Sequence, residues 1–254
     1  MMYPVERQRW MLENARKAGK IDVPDVASQL GVAVETVRRD LNHLEKRGLV
    51  RRVHGGAIPV EKFGFENSLV ERGAAHPGEK ARLAQAALEL LDDAESIFID
   101  EGTTAAAFAD ALNPSRPMTV VTSSLPVACK LAANPMLTVL ILGGRVRGNT
   151  LGAVDHWATG MLSRFVLDLA ILGTNGATGK HGLTCPDSTV AAVKAAAIAA
   201  SRRTVVLADH TKLGVDSSIK FADLHDLDAL VTERGVADSL LQPFRRVGVE
   251  LIQA

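Results

Sequence analysis

The chain has 254 residues, of which 47% are hydrophobic and 4% aromatic, and its 29 Lys and Arg balance 29 Asp and Glu. This length is enough for two domains with separate hydrophobic cores. No uncharged apolar run reaches the roughly 18 residues of a membrane-spanning helix. The first ten residues carry charges and lack an apolar core, so we expect neither a membrane segment nor a signal peptide.

The chain has two cysteines, Cys129 and Cys185. Their number does not indicate a disulfide framework, and they lack the spacing of metal ligands. We therefore expect a cytoplasmic protein with reduced thiols and without a metal or cofactor. The charge is unevenly distributed, because residues 1–58 hold 11 Lys and Arg against 7 Asp and Glu, a net charge of +4, and the remainder carries −4. A basic N-terminal segment on an acidic body is suited to phosphate contact through that segment alone.

Three helices are predicted in the N-terminal segment. The first covers residues 5–18. The second covers the stretch VPDVASQLG, in which Pro24 lies near the helix start and Gly31 ends it. The third covers VETVRRDLNHLEKRG, where three- and four-residue spacing places an apolar stripe on one face: Val37, Leu41 and Leu44.

The opposite face of the third helix carries side chains that can reach base edges and phosphates: Glu35, Thr36, Arg38, Arg39, Asn42 and His43. Gly48 is typical of a helix end, and LVRRVHGGA then predicts a short strand and a basic turn, with further candidate DNA contacts at Arg51, Arg52 and His54. By itself a pair of arginines is more typical of a solvated helix. The order helix, helix, turn, helix and hairpin favours instead a winged helix-turn-helix over residues 1–58.

This segment resembles the DNA-binding domain of the DeoR family of bacterial sugar-responsive repressors. The family pattern runs T-[IV]-R-R-D-L and then L-E-x-x-G-L-[IV]-x-R-x-H-G-G-A, which residues 36–41 and 44–57 match at the same spacing. The third helix is then expected in the major groove, with Arg39, Thr36 and Asn42 reading bases. Ala33 departs from the family, which usually has Ser or Thr there, so this helix lacks a side-chain cap worth about 1 kcal/mol.

Residues 59–77 show no sustained hydrophobic period and carry Pro and Gly at both ends, so we interpret them as a linker. Residues 78–254 alternate helical stretches with short strands that are apolar throughout. The strands are predicted at 96–100, 118–122, 137–144, 168–173, 204–209 and 227–233. This alternation indicates βαβ units, so we predict an α/β domain with a mostly parallel, buried sheet.

The carboxyl ends of parallel strands form the usual ligand-binding edge of such a sheet. Gly102, Thr103 and Thr104 are the most informative residues there, because a tight turn that opens a helix leaves backbone N–H groups that favour a phosphate. A plain strand-to-helix turn is the alternative interpretation, and it applies equally to residues 173–176. The candidate effector-binding residues at the strand ends are Asp100, Gly102, Thr103, Thr104, Thr122, Ser123, Gly143, Gly144, Arg145, Asn175, Gly176 and Lys212.

The order of these pieces resembles the sensor domain of the same DeoR family, whose α/β fold is of the ribose-5-phosphate isomerase and CoA-transferase type. The matching motifs are D-x-G-T-T at 100–104, V-T-x-S at 121–124, L-G-G-x-x-R at 142–147 and G-L-T at 182–184. The resemblance implies a sugar phosphate held by Gly102, Thr103 and Thr104, with positive charge supplied by Lys194 and Lys212.

Two positions depart from the family pattern. Glu101 stands where the family often has Ser, and we expect its carboxylate to point away from the phosphate loop, because it would otherwise repel an anion. Ser123 stands where many members have Asn, which alters the expected contact with the sugar.

These predictions favour a DNA-binding regulator, a repressor of carbohydrate uptake or catabolism genes controlled by a phosphorylated sugar. The alternative is a sugar-phosphate isomerase with a DNA-binding appendage, which would need a carboxylate base near the substrate carbonyl. The isomerases carry D-G-A-D-E where this chain has GTNGA at 173–177, so we expect no enzymatic activity. A DNA-binding protein without small-molecule control is a third interpretation.

The loops LGGRVRGNTLGAVD, GTNGA and GLTCPDS are similar to those of actinobacterial repressors of fructose and other phosphotransferase-sugar genes. That similarity implies fructose 1-phosphate or a related phosphosugar as the effector. Operators are usually read by dimers. We therefore expect a homodimer or homotetramer, assembled through the sensor domain or linker, that binds double-stranded operator DNA and no membrane.

Overall fold

The structure is a computed structural model that describes residues 3–18, 20–47, 49–53, 55–59 and 69–254. Contacts within the chain divide it into two units, Met1–Phe65 and Glu66–Ala254. Within the described ranges, no helix is both long enough and apolar enough to cross a membrane.

The first unit combines helices with a small antiparallel sheet. Its elements are α1 (Pro4–Ala18), β1 (Ile21–Asp22), α2 (Val23–Leu30), α3 (Val34–Lys46), β2 (Val50–Val53) and β3 (Gly56–Pro59). The strands pair in the order β1-β3-β2, and β2 and β3 form the hairpin that follows α3. This is the order of a winged helix-turn-helix, so the prediction for this segment is confirmed.

The apolar stripe of α3 forms the centre of this unit's core. Val37, Leu41 and Leu44 are buried against Met11 of α1 and Val26 of α2. Burying a side chain of this size stabilises a fold by about 1.5–3 kcal/mol. The periodicity that predicted the helix therefore also determines which of its faces is left for solvent.

Local signals place the ends of α2. The Asp22 side chain accepts a hydrogen bond from the Asp25 backbone N–H at 3.3 Å, and Pro24 occupies the first turn. Gly31 ends the helix with φ 62°, in the left-handed region that glycine adopts without strain. The two ends of α2 are therefore determined by three residues of the local sequence.

Asp40 is the polar exception on the buried face of α3. One of its carboxylate oxygens lies 2.5 Å from Nε of Arg7 in α1, and the other accepts a hydrogen bond from the Gln8 side chain at 2.8 Å. A buried carboxylate is costly without such partners. The aspartate of the R-R-D motif therefore joins α3 to α1 and leaves the two arginines before it outside the core.

The second unit is described from Leu69 onward. Its helices and strands are α4 (Leu69–Ala74), α5 (Pro77–Leu88), β4 (Ser96–Ile99), α6 (Thr103–Ala111), β5 (Met118–Thr122), α7 (Leu125–Leu131), β6 (Leu137–Ile141), β7 (Arg145–Val146), β8 (Ala153–Val154), α8 (His156–Leu162), β9 (Leu167–Gly173), β10 (Gly176–Thr178), β11 (Gly182–Cys185), α9 (Ser188–Ala199), β12 (Ser201–Leu207), β13 (Ile219–Ala222), β14 (Ala229–Thr232), α10 (Asp238–Arg246) and β15 (Glu250–Gln253). Short 3₁₀ turns cover His210–Lys212 and Leu224–Asp226.

Seven strands of the second unit form one parallel sheet, in the order β15-β14-β12-β9-β4-β5-β6. Alternate residues of β4 enter two separate apolar cores, with Phe98 in one and Ile97 and Ile99 in the other. The predicted α/β domain with a mostly parallel sheet is confirmed. The chain runs outward from β4 to β5 and β6, then returns to β9 on the other side of β4 and continues to β12. The topological switch point therefore lies between β4 and β9.

Three features of the second unit have no counterpart in the sequence prediction. Strands β10, β11 and β13 form a small antiparallel sheet, and β7 pairs with β8 in a short ribbon. These strands are two to four residues long, too short for an alternating pattern to stand out. Helix α4 lies inside the predicted linker 59–77 and belongs to the second unit.

Candidate DNA-binding surface and effector site

Helix α3 presents a polar face to solvent. Its exposed residues include Glu35, Arg38, Arg39, Asn42 and His43, and Thr36 is half-buried. Arg38 Nη1 lies 3.3 Å from Glu35 Oε2. The Arg39 side chain has no hydrogen-bonding or ionic partner within the described part of the chain, so its charge and its donors are available to an approaching ligand.

Arg52 of β2 contacts its own unit. Its guanidinium donates hydrogen bonds to Asn42 Oδ1 at 2.7 Å, to the Arg38 carbonyl at 3.3 Å and to the Gly56 carbonyl at 3.2 Å. Arg52 therefore holds the β2–β3 hairpin against α3 and orients the Asn42 amide, whose NH₂ group stays available for a base edge.

The start of α3 and the tip of the hairpin complete this surface. Ala33 precedes α3 with φ −63° and ψ 143° and makes no side-chain cap, as its methyl group dictates. The predicted DNA contacts at Arg51 and His54 are not testable in the same way, because the Arg51 side chain and the whole of His54 lie outside the described residues.

An open cavity lies at the carboxyl edge of the parallel sheet, at the switch point between β4 and β9. Its volume is about 780 Å³ including the solvent at its mouth. Six of the residues predicted to bind an effector line it: Gly102, Thr103, Thr104, Asn175, Lys194 and Lys212. The fold therefore gathers residues that follow β4, β9 and β12 with one residue from α9.

The start of α6 forms one wall of this cavity. Gly102 adopts φ 103°, a left-handed conformation that favours glycine, and precedes the helix without a side-chain cap. The first backbone N–H groups of a helix have no acceptor within it, and here they belong to Thr103, Thr104 and Ala105, which all line the cavity. The arrangement offers hydrogen-bond donors and the positive end of a helix dipole to an anion.

Lys194 of α9 stands opposite, in a buried ion pair with Asp100. Its Nζ binds Asp100 Oδ2, and it also donates to the Gly173 carbonyl at 2.9 Å. The Gly173 N–H donates to the same Asp100 oxygen at 3.0 Å. Asp100 Oδ1 is buried with no hydrogen-bond partner among the described residues. The bonds of the Asp100–Lys194 pair therefore connect the end of β4 with α9 and with Gly173 of β9.

Four cavity-lining residues come from the segment before β4: Arg72 of α4, Ala75 and His76 between the two helices, and Lys80 of α5. Arg72 Nη2 lies 3.0 Å from the position that a Cβ at residue 102 would take, so the guanidinium covers Gly102. Segment 69–80 carries no motif that predicts these contacts, because they depend on how α4 and α5 pack against α6.

Lys80 is buried, and it ties α4 to α5. Its ammonium donates to the backbone carbonyls of Arg72 and Ala75 near the end of α4. Burial lowers the pKa of Lys80, and the positive charges of Lys212 and Arg72 lower it further. The neighbouring Asp209 carboxylate acts in the opposite direction and raises this pKa. The Lys212 ammonium has no ionic partner in the described ranges, so Lys212 is the more available of these two lysines.

Glu101 lines the cavity, but its carboxylate forms an ion pair within the protein. Arg147 Nη1 lies 3.3 Å from Glu101 Oε1, and the Thr150 hydroxyl donates to Oε2 at 2.8 Å. The side chains of Glu101 and Arg147 are 5% and 6% exposed. The expected repulsion of an anion by Glu101 is therefore reduced by a buried guanidinium.

The remaining predicted effector residues lie outside the cavity lining. Thr122 is buried and donates to the Ile99 carbonyl at 2.6 Å, and the buried Ser123 hydroxyl has no partner among the described residues. Gly176, which follows β9, is buried beside Asn175, and the group Gly143, Gly144 and Arg145 is exposed. The residues that follow β5 and β6 lie outside the cavity because the strand order places the ends of these strands beyond β4, on the side away from β9.

One group of side chains has a geometry that a metal could use. Ligand atoms of Asp223, His225 and Asp226 lie within 4.8 Å of one another. His225 and Asp226 are exposed, and Asp223 is already engaged by Lys220. This group lies on a surface turn and contains no residue that lines the cavity.

The chain combines a helix-turn-helix unit that exposes an arginine with an α/β unit that contains a polar cavity. This combination defines the class of DNA-binding transcriptional regulators that carry a ligand sensor. A family described as "DeoR-like helix-turn-helix domain" matches residues 7–63, and one described as "DeoR C terminal sensor domain" matches residues 75–234. The chain belongs to the DeoR family of transcriptional regulators.

The sequences of two regulators agree with this membership. The chain is 31% identical over 251 residues to the HTH-type transcriptional regulator GolR of Listeria innocua, with 98% of each chain covered. It is 29% identical over 241 residues to the glycerol-3-phosphate regulon repressor of Escherichia coli, with 95% of each covered. Among solved structures, ribose 5-phosphate isomerase A from Neisseria gonorrhoeae aligns with a TM-score of 0.36 at 21% identity over 52% of each chain.

Proposed function

We propose that this protein is a repressor of carbohydrate uptake or catabolism genes whose binding to operator DNA is controlled by a phosphorylated sugar. The observation that carries the proposal is the cavity where the uncapped start of α6 faces Lys194 and Lys212. Backbone N–H groups, a helix dipole and lysine side chains together favour a phosphate group. The Escherichia coli relative is the glycerol-3-phosphate regulon repressor, which supports the repressor role.

The DNA-binding half of the proposal rests on the exposed face of α3. We assign Arg39, Thr36 and Asn42 to base edges in the major groove and Arg38 to phosphates, because their side chains lie on the solvent side of this helix. The net charge of +4 on residues 1–58 attracts the DNA backbone. A regulator of this kind acts on chromosomal DNA, which places it in the cytoplasm.

The cavity offers little to an isomerase mechanism. A general base must reach the substrate proton with an available carboxylate. The Asp100 carboxylate is paired with Lys194 and the Glu101 carboxylate with Arg147. Asp209, which also lines the cavity, uses Oδ1 to accept hydrogen bonds from the Thr211 N–H and hydroxyl. The chain has Asn175 and Gly176 in the stretch where the isomerases carry carboxylates. Turnover of a pentose or hexose phosphate by the purified protein would overturn the regulator proposal in favour of this alternative.

The sugar end of the effector would lie beyond the phosphate, toward Asn175 and Asp209. The Asn175 amide lines the cavity and its side chain has no partner within the described residues, so it is available to hydroxyl groups. The similarity of the loops to repressors of fructose genes makes fructose 1-phosphate the first compound to test.

We propose further that the protein acts as a homodimer or homotetramer assembled through the second unit. Strand β6 is an edge of the parallel sheet, and its residues Leu140 and Ile141 are 37% and 41% exposed. An uncharged, apolar edge strand is usually covered in natural proteins, and operator half-sites are usually read by paired domains. Sedimentation of the protein alone and on operator DNA tests the assembly, and a monomer in both states would overturn it.

The proposed function is tested by fluorescence anisotropy on DNA from the region upstream of the gene. The titration is repeated with fructose 1-phosphate, fructose 6-phosphate, glucose 6-phosphate, glycerol 3-phosphate, inorganic phosphate and the free sugars. We expect one phosphosugar to release the DNA and its unphosphorylated form to have no effect. Tight binding that none of these compounds changes would favour a DNA-binding protein without small-molecule control.

Thr103→Val tests the phosphate site directly. Removing a hydroxyl that binds a charged group costs about 1.5–3 kcal/mol, so the effector concentration for half-release should rise about 10- to 150-fold while DNA binding without effector is unchanged. Ser239→Ala is the control, because it removes an exposed hydroxyl on α10, outside the cavity and away from the β6 edge. A normal response from Thr103→Val would refute the assignment of this loop.

A further inference from the structure

Arg147 is a buried cation that contacts residues from three parts of the second unit. Its guanidinium lies 3.3 Å from Glu101 Oε1, 3.0 Å from the Thr150 hydroxyl and 3.2 Å from Asp187 Oδ2. The Arg147 side chain is 6% exposed and does not line the cavity. A buried guanidinium with several partners holds them in a defined geometry, because losing any of them is costly.

The two carboxylates bound by Arg147 lie next to the two sides of the effector cavity. Glu101 immediately precedes Gly102 at the start of α6. Asp187 caps α9 by accepting from the Thr189 and Val190 N–H groups at 2.8 and 3.2 Å. Since α9 carries Lys194, Arg147 links the phosphate loop to the helix that supplies the facing lysine.

The turn that carries Arg147 also contacts α4. The turn is closed by hydrogen bonds from Leu151 N–H to the Arg147 carbonyl at 2.8 Å and from Arg147 N–H to the Gly152 carbonyl at 2.9 Å. Within it, the Asn149 carbonyl accepts from the Leu69 N–H at 3.1 Å. Leu69 is the first residue of α4, and the chain before it leads back to the DNA-binding unit.

Helix α4 is thus connected to the cavity at both of its ends. Its first N–H group is bonded to the Arg147 turn, and carbonyls at its end are bonded to Lys80, which lines the cavity. Its Arg72 side chain covers Gly102. Of the described elements of the second unit, α4 is the nearest in sequence to the DNA-binding unit.

We propose that Arg147 is a positioning residue that transmits effector binding from the phosphate loop to α4, through Glu101 on one side and the turn containing Asn149 on the other. This inference rests on the proposed function. A phosphate dianion at the start of α6 would stand beside the Glu101 carboxylate, and Arg147 reduces the repulsion between these like charges without removing it. A change in the Glu101–Arg147 pair then alters the turn, and with it the hydrogen bond that fixes the first residue of α4.

The test separates effector affinity from effector coupling. The coupling ratio is the operator Kd at saturating effector divided by the operator Kd without effector. A residue that only shapes the site changes the effector concentration needed for release and leaves the ratio at saturation intact. A residue that transmits the signal lowers the ratio itself, and changes along such a connection typically amount to about 2- to 30-fold.

Two variants disturb the connection by different means. The double variant E101Q/R147M removes both members of the buried pair, which avoids leaving a lone buried charge. Gly152→Ala keeps every charge and acts by displacement. A Cβ at residue 152 would lie 1.5 Å from Glu101 Oε2 and would force that carboxylate out of place. Arg202→Met is the matched control, since Arg202 is an exposed arginine paired with Asp168 at 3.2 Å.

Each protein is titrated onto operator DNA with and without saturating fructose 1-phosphate, or with the member of the phosphosugar panel that releases the wild-type protein. We expect the coupling ratio of E101Q/R147M and of Gly152→Ala to fall about 2- to 30-fold, and that of Arg202→Met to equal the wild-type ratio. Wild-type ratios from either variant at saturation would overturn the inference while leaving the proposed function in place. A wild-type ratio of one with every compound would overturn both.

Hydrogen exchange of the peptide containing α4 gives a second, independent measurement. In the wild-type protein we expect the same phosphosugar to change exchange in this peptide, and in the Gly152→Ala protein we expect that change to be lost while exchange around the start of α6 still responds. An effector response in α4 that is identical in both proteins would also overturn the inference.

Discussion

Both units contain cations that we assign to ligand binding, Arg39 to DNA and Lys194 to a phosphate, but they hold those cations differently. Arg39 in the first unit is exposed and has no partner among the described residues. Lys194 in the second unit is 4% exposed and bound to Asp100. One unit presents an exposed, hydrated charge on a surface, and the other keeps its charge buried in an ion pair at the edge of a cavity.

The difference corresponds to the two kinds of ligand, DNA for the first unit and a small phosphorylated effector for the second. A DNA backbone is a long array of charges, and its attraction to solvated arginines needs little fixed geometry. A single small phosphate must be held by convergent, preorganised donors, because a small ligand offers few contacts to offset its loss of freedom. In the cavity these donors are the N–H groups that open α6, and buried ion pairs hold the surrounding elements in place.

Removing a buried cation should have the largest effect on stability. Lys194→Met leaves the Asp100 carboxylate, which is 1% exposed, without its ionic partner. Breaking such a pair typically costs about 3–5 kcal/mol, so the urea midpoint of the second unit should fall sharply. Urea denaturation followed by circular dichroism measures the effect.

The matched control is Lys212→Met, which removes a lysine from the same cavity that has no ionic partner within the described ranges. We expect its stability to change by no more than about 0.5 kcal/mol. The double variant K194M/D100N should recover most of the loss, because it also removes the buried charge. Equal destabilisation by Lys194→Met and Lys212→Met would show that the two lysines are not held differently.

Removing an exposed cation should act on DNA binding instead. Arg39→Ala should weaken operator binding by about 1–3 kcal/mol, the usual value of one base-specific contact, and should weaken binding to random DNA less. Arg52→Ala should weaken binding to both duplexes, because Arg52 holds the hairpin against α3, with a further loss on the operator through Asn42, which it orients. Anisotropy on operator and random duplexes at one salt concentration compares them. An equal loss on both duplexes for Arg39→Ala would refute its assignment as a base reader.

The first unit could be predicted from its sequence to a greater extent than the effector site. The 3.6-residue period that buries Val37, Leu41 and Leu44 also determines that Arg39 faces solvent, since both follow from the geometry of one helix. The contact between Arg52 and Asn42 was not predictable, because it depends on how the hairpin packs against α3.

The effector site depends on the order of strands, which local patterns do not contain. The ends of β4 and β9 were expected to meet at a ligand-binding edge, and Gly102 and Asn175 do line one cavity. The ends of β5 and β6 were expected there too, but the sheet places them on the far side of β4. Arg72 and Lys80 were missed because helix packing, with no local motif, brings them to Gly102.

The smallest predicted effect concerns a feature that the two units share. Helices α3 and α6 both begin without a side-chain cap, at Ala33 and at Gly102. At Gly102 the left-handed φ favours glycine and the free N–H groups face the cavity, so the missing cap is part of the proposed site. At Ala33 the backbone is extended and compatible with any residue, so the missing cap is simply a loss of stability.

Ala33→Ser should therefore stabilise α3 by about 1 kcal/mol, because the serine oxygen can accept a hydrogen bond from a free N–H group in the first turn. Hydrogen exchange of α3 amides that open locally should slow about fivefold. Ala132→Ser is the control, since Ala132 follows α7 at its C-terminal end, where a serine caps no N–H group. If Ala33→Ser leaves exchange in α3 unchanged, the start of this helix is already satisfied by other means, and the contrast between the two uncapped helices fails.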